Sequence, residues 1–71
     1  MIPLTAAEVE RVLKKNGVVH TRTVGSHFQW ISVDRHANVT VPHHGNRQLQ
    51  QNTLKSIVRQ SGLEESAFAK R

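Results

Sequence analysis

The chain has 71 residues, with 10 Lys or Arg against 5 Asp or Glu, which gives a net charge of +5 before any histidine is counted. This length predicts one small domain over residues 1–71, and 37% hydrophobic residues is too high for a disordered tail of this charge. There is no cysteine for disulfides, and no apolar run long enough for a signal peptide or a membrane span, so we expect a cytoplasmic protein.

The first predicted element is a helix that follows Thr5. Thr5 and Glu8 have the T-x-x-E spacing of a capping box, which stabilises a helix start by about 1 kcal/mol. The apolar residues that follow recur at helical spacing and predict one buried stripe: Ala6, Val9, Val12 and Leu13. The pair Asn16-Gly17 is typical of a helix end.

Three strands are predicted next. Val18–Val24 is rich in β-branched residues, and Gly25-Ser26 predicts a tight reversal after it. His27–Val33 alternates, so that Phe28 and Trp30 share one face, while the other carries His27, Gln29 and Ile31. Residues 34–38 form a polar turn, and Val39–Val41 forms a short third strand that is closed by Pro42.

A second helix is predicted after the polar loop of residues 43–51. We expect Asn52 to cap a helix from about Thr53 to Ser61, ended by Gly62, with a last short turn over residues 63–68. Its apolar stripe comprises Leu54, Ile57 and Val58. The order α-β-β-β-α predicts an α+β fold, in which a three-stranded antiparallel sheet has both helices on one face and leaves its other face to water or a ligand.

The chain has 5 histidines, and histidine is the side chain that titrates near neutral pH. A metal site is the first possibility, but without cysteine several histidines would have to converge. The adjacent His43 and His44 point to opposite faces if the chain is extended there. Because the spacings fit none of the common zinc patterns, we expect neither a metal nor another cofactor.

His27 is placed differently from the other histidines. It follows Gly25-Ser26 directly, at the start of a strand, and the alternation that buries Phe28 turns it to the open face. It is either a proton-transfer group or an ordinary histidine that is solvated or satisfied in the core, and spacing alone favours the second interpretation.

The basic residues form a set on both sides of the Gly-Ser-His turn. A domain this basic suits an acidic partner, nucleic acid among them, and cations so distributed can contact phosphates beside an open sheet face. The alternative is that they are solvated residues on helix exteriors. The candidates for RNA binding are Lys14, Lys15, Arg22, Arg47, Lys55 and Arg59.

Several of these segments together resemble one family. Lys15-Asn16-Gly17, Arg22 and Gly25-Ser26-His27 look like the N-terminal half of HicA toxins, the mRNA-interferase family. The runs VTVPHH over residues 39–44 and NTLKSIVRQSGL over residues 52–63 are similar to its third strand and second helix. The resemblance covers residues 6 to 63, and the order and spacing of the motifs make it specific.

The resemblance implies a fold like a double-stranded-RNA-binding domain and an endoribonuclease that cuts messenger RNA. The catalytic group would be His27, carried by the turn of Gly25 and Ser26, and the partner a HicB-type antitoxin that occupies the active face. His44 and Ser26 are candidates for a second proton-transfer group.

The chain departs from the family pattern at two positions. Asn52 stands where the family usually has glycine, a conservative change for a helix cap. Phe28 occupies a position that is often polar in relatives, which leaves open which face of the strand is buried.

Two other functions remain possible at this point. A non-catalytic RNA-binding module of the double-stranded-RNA-binding type explains the charge and the element order equally well. A partner-binding protein would instead use Phe28 and Trp30 as an exposed docking patch.

Overall fold

The secondary structure follows the predicted α-β-β-β-α order, in a computed structural model that describes residues 1–69. The last two residues of the predicted domain, 70 and 71, lie outside the described residues. The elements are α1 (Ala6–Lys15), β1 (Val19–Val24), β2 (His27–Ser32), β3 (Ala37–Pro42), α2 (Gln51–Ser61) and a 3₁₀ turn (Glu65–Phe68).

Helix α1 begins and ends where the sequence predicts. The Glu8 N–H donates to Thr5 Oγ1 at 3.2 Å, and the Thr5 N–H donates to Glu8 Oε1 at 2.9 Å, which completes the capping box. At the other end Gly17 has a φ of +80°, in the left-handed region where glycine is at no steric disadvantage. Local signals are therefore sufficient for this helix.

The three strands form an antiparallel meander in the order β1-β2-β3. Phe28 lies opposite Val41 and Trp30 opposite Val39, and these pairs face the helices. Trp30 is only 7% exposed and Phe28 packs against the core, so the exposed docking patch is wrong. The sequence does not decide which face of β2 is buried. The structure shows that the face carrying Phe28 is the covered one.

Strand β1 contains a bulge that strict alternation does not predict. The pairing shifts between His20, opposite Trp30, and Arg22, opposite Gln29, so that Thr21 is the additional residue. The Thr21 hydroxyl donates to the Gln29 carbonyl at 3.2 Å. Because directly paired residues share a face, His20 lies on the covered face and Arg22 on the open one.

Helix α2 begins at Gln51, with Gln50 at the N-cap position, so the prediction that Asn52 caps a helix from Thr53 is wrong. The start is set by a distant contact, because the Leu49 N–H donates to the Leu4 carbonyl at 2.8 Å and the chain turns into the helix directly after this residue. Gln50 makes no side-chain cap bond. The predicted end is confirmed, because Gly62 has a φ of +73°.

The core lies between the sheet and both helices. The buried stripes of α1 and α2 belong to one cluster with the covered face of the sheet, which confirms that both helices lie on that face. The largest fully buried apolar side chains are Phe68, Leu4, Leu13, Leu54, Ile57, Val9, Val39 and Val41. Neither helix within residues 1–69 has the length and apolar character needed to cross a membrane.

Candidate active site

A glycine turn places His27 at the first position of β2. Gly25 has a φ of +59°, and a Cβ added there would meet no atom within 4 Å, so the backbone conformation and not lack of space is what favours glycine. Val24 then pairs with His27 and closes the hairpin. The turn therefore presents His27 at the very end of the sheet.

His27 lies on the open face, as predicted, and its side chain is exposed. Within residues 1–69 its ring has no hydrogen-bond partner. Gln29 and Thr40 lie beside it on the same face, where the Thr40 hydroxyl donates to Gln29 Oε1 at 3.0 Å. His27 thus stands free next to a polar pair, which is the state that a group needs to exchange protons with a ligand.

A hollow of about 350 Å³ separates His27 from helix α2. The Thr40 N–H points away from β2 and donates to Gln60 Oε1 at 3.0 Å, which attaches the helix to the free edge of β3. By the same alternation the Pro42 nitrogen lies on this outer edge, where no bond to β2 is lost. The lining residues are His27, Thr40, Pro42, Asn52, Thr53, Ser56, Ile57 and Gln60.

A second hollow of about 350 Å³ adjoins the first, because Pro42 and Thr53 line both. It contains His44, the predicted second proton-transfer group, and Arg47. The first turn of α2 borders both hollows and contains no acidic residue. Its N–H groups have no side-chain cap, so this end of the helix favours an anion.

The structure distributes the six predicted RNA-binding cations over both sides of the molecule. Arg22 lies on the open face opposite Gln29, and Arg47 lines the hollow of His44. Lys55 and Arg59 are exposed on α2 without lining either hollow. On the helix-covered side, Lys14 and Lys15 are exposed on α1 and border hollows away from His27.

Ser26 and His43 meet at the back of the turn. The His43 N–H donates to the Ser26 carbonyl at 2.8 Å, while the His43 ring lies on Phe28 with centroids 3.9 Å apart. His43 Nε2 also contacts Glu10 Oε1 at 2.8 Å, and Glu10 Oε2 accepts a bond from Trp30 Nε1 at 2.9 Å. His43 and His44 therefore have different surroundings, as their adjacency in an extended segment predicts.

Sequence reasoning did not identify Glu10 or the polar residues of α2 as parts of the site. Glu10 is 33 positions from His43, and nothing in their spacing indicates the contact. Thr53, Ser56 and Gln60 do recur at helical spacing, which could have indicated a polar face beside the apolar stripe. Within residues 1–69, no three His, Asp or Glu side chains come together as a metal site requires.

The chain matches a known protein family. A family model described as the HicA toxin of bacterial toxin-antitoxin systems matches residues 6–63, which include all three strands and the whole of α1 and α2. No curated protein matches the chain.

Proposed function

Because the chain belongs to the HicA toxin family of bacterial toxin-antitoxin systems, we propose that it is a metal-independent endoribonuclease. In this proposal it cleaves messenger RNA in the cytoplasm with His27 and is inhibited by a HicB-type antitoxin. The catalytic unit is the single domain predicted from the sequence.

The observation that supports this proposal best is the position of His27. Its ring is exposed at the end of the open sheet face, forms no hydrogen bond within the part of the chain that the structure describes, and lines a hollow that α2 completes with polar side chains. A merely solvated histidine needs no such surroundings. Histidine is the side chain type best suited to accept and donate protons near neutral pH.

RNA supplies its own nucleophile, so the protein need only move protons and stabilise charge. His27 takes the proton from the ribose 2′-hydroxyl, whose oxygen then attacks the adjacent phosphorus. The bond from phosphorus to the 5′-oxygen breaks, leaving a 2′,3′-cyclic phosphate and a 5′-hydroxyl. The leaving oxygen takes a proton from a second group, for which we propose His44, because its hollow adjoins that of His27.

Positive charge for the phosphate comes from two sources on the His27 side. Arg22 and Arg47 can each donate to a phosphate oxygen, and arginine suits this role because its planar group donates two parallel bonds. The uncapped N–H groups of the first turn of α2 add the positive end of a helix dipole. These groups offset the negative charge that develops as the 2′-oxygen attacks.

Membership of a toxin-antitoxin family implies an antitoxin partner. We propose that it covers the open face, because the excess of basic residues attracts an acidic protein surface as readily as RNA. Inhibition is then direct occlusion of His27. A complex of toxin, antitoxin and uncut RNA at saturating antitoxin would contradict occlusion.

The test compares His27→Ala with a matched histidine variant. His36 is exposed in the turn before β3 and has a φ of +49°, which asparagine tolerates, so His36→Asn is the control. Both proteins are incubated with single-stranded RNA in the presence of EDTA. We expect His27→Ala to lower the cleavage rate by about 10²–10⁴-fold and His36→Asn to leave it unchanged.

The product ends and the binding data separate the alternatives. A 2′,3′-cyclic phosphate on the 5′ fragment supports the 2′-hydroxyl as nucleophile. Cleavage that EDTA abolishes and one divalent ion restores would contradict the metal-independent mechanism. RNA binding without any His27-dependent cleavage would instead identify the non-catalytic RNA-binding module.

A further inference from the structure

We propose that Glu10 and His43 are positioning residues for His27: they form a brace from helix α1 to the turn that carries the catalytic histidine. The inference rests on the proposed function, because it assigns the brace a part in RNA cleavage. It concerns the covered face of the sheet, behind the site described above.

The brace holds the residues on either side of His27. The His43 N–H bonds the Ser26 carbonyl at 2.8 Å, and the His43 ring lies on the Phe28 ring at 3.9 Å with a tilt of 32°. Ser26 precedes His27 and Phe28 follows it. A single residue thus contacts both chain neighbours of the catalytic histidine without reaching its ring.

The turn has little else to hold it. Gly25 has open space around it, and His27 makes no hydrogen bond through its ring within residues 1–69. Because the His27–Pro42 pair is followed by the bond from His43 to Ser26, this bond is the last one between β2 and β3. Without it, the hydrogen bonds between β2 and β3 would begin only at the Phe28–Val41 pair, one residue beyond His27.

Glu10 links His43 to the rigid part of the molecule. One carboxylate oxygen lies 2.8 Å from His43 Nε2, and the other accepts the Trp30 Nε1–H bond at 2.9 Å. The side chains of His43 and Glu10 are 26% and 15% exposed, so water screens this pair less than a surface ion pair. Glu10 follows Val9, which is fully buried, so its backbone is fixed by the core.

The physical consequence concerns the precision of proton transfer. Proton transfer requires His27 within hydrogen-bond reach of the 2′-hydroxyl, and a misplacement of about 1 Å can lower a rate by about 10²-fold. The brace fixes the backbone on both sides of His27 relative to α1. Its removal should therefore lower the rate of the chemical step more than it weakens RNA binding.

The experiment uses two variants of the brace and one matched control. Glu10→Gln keeps an acceptor for Trp30 but removes the charge beside His43, and His43→Ala removes the ring while keeping the peptide N–H. His20→Ala is the control, because the His20 ring contacts the same Phe28 at 5.3 Å and Trp30 at 5.5 Å, but within residues 1–69 its hydrogen bond goes to Thr23 and not to Ser26 or Glu10. The kcat and KM for a short single-stranded RNA are measured for each protein.

We expect both brace variants to lower kcat by about 10-fold or more, with KM within about 2-fold of the parent value. The control should change neither constant. His43→Phe, which keeps a ring on Phe28 without the hydrogen bond to Glu10, should give an intermediate kcat. An unchanged kcat in both brace variants, in a protein whose cleavage depends on His27, would overturn the inference, as would a change confined to KM.

A second measurement does not depend on activity. Amide hydrogen exchange by NMR reports how often the residue 43 N–H leaves the Ser26 carbonyl, and we expect about 10-fold faster exchange in Glu10→Gln. The buried Ile57 in α2 should exchange at the parent rate, which excludes general destabilisation. Unchanged exchange at residue 43 would overturn the brace. Faster exchange in a protein that never cleaves RNA would contradict the proposed function and the positioning role, but not the contact itself.

Discussion

At the same end of the sheet, the histidine on the open face and the histidine on the covered face have opposite surroundings. On the open face, His27 is exposed and its ring has no bond within the described residues. On the covered face, His43 is held by Glu10, by Phe28 and through its own peptide by Ser26. The residue type therefore does not determine the role. The contacts of His43 give it a structural role, whereas the exposed ring of His27 is available for proton transfer.

Truncating a buried side chain on the covered face should lower the free energy of unfolding more than any other change considered below. Trp30→Ala removes a ring that is 7% exposed and its bond to Glu10, so we expect the free energy of unfolding to fall by about 3–5 kcal/mol. His27→Ala, on the open face, should change it by no more than about 0.5 kcal/mol. Urea denaturation followed by circular dichroism measures both. Similar losses for the two variants would contradict the division of roles between the faces.

The salt dependence of RNA binding tests whether basic residues on the open face contact RNA and those on the helix-covered side do not. In a His27→Ala background that prevents cleavage, Arg22→Ala should weaken binding and reduce the slope of log K against log salt by about 0.7, the value for one lost phosphate contact. Lys15→Ala is the matched control: the sequence also predicts Lys15 to bind RNA, but this residue lies on the helix-covered side, so we expect the slope to stay unchanged. An equal reduction in both variants would mean that RNA extends around the sheet to α1.

The smallest expected effect is that of a substitution at Gln50, which should stabilise the fold but weaken RNA binding. Gln50 has the extended backbone of an N-cap but no cap bond, so Gln50→Asp should raise the free energy of unfolding by about 0.5–1 kcal/mol. The new carboxylate would lie at the hollow of His44 and Arg47 and should weaken RNA binding. Gln50→Ser supplies a cap without charge, so it should stabilise the fold and weaken RNA binding less than Gln50→Asp, because it occupies an N–H group but adds no negative charge. Tighter RNA binding by Gln50→Asp would contradict the use of this helix end by phosphate.

The parts of the fold that local signals determine could be predicted from the sequence. The capping box of Thr5 and Glu8, the reversal at Gly25 and the end of α2 at Gly62 each depend on residues within a few positions. The faces of β2 follow from alternation, which is why the exposure of His27 could be predicted together with its position in the chain.

Features that distant residues determine could not be predicted. Strand β3 begins at Ala37 and not at Val39, because Ser32 pairs with Ala37 and extends the ladder into the predicted turn. The start of α2 depends on the bond from Leu49 to Leu4. The contact between Glu10 and His43 joins two elements that are distant in the sequence. Nothing in the sequence around either residue distinguishes it from a polar residue that is exposed to solvent.

The Thr21 bulge has a consequence for how the protein behaves at high concentration. All six residues of β1 are exposed, and a regular edge strand is a template on which a second molecule can add its own strand and begin an aggregate. The additional residue interrupts the row of free N–H and C=O groups, and the charged Arg22 follows it. We therefore expect the Thr21 bulge to reduce the addition of a second molecule's strand to the β1 edge.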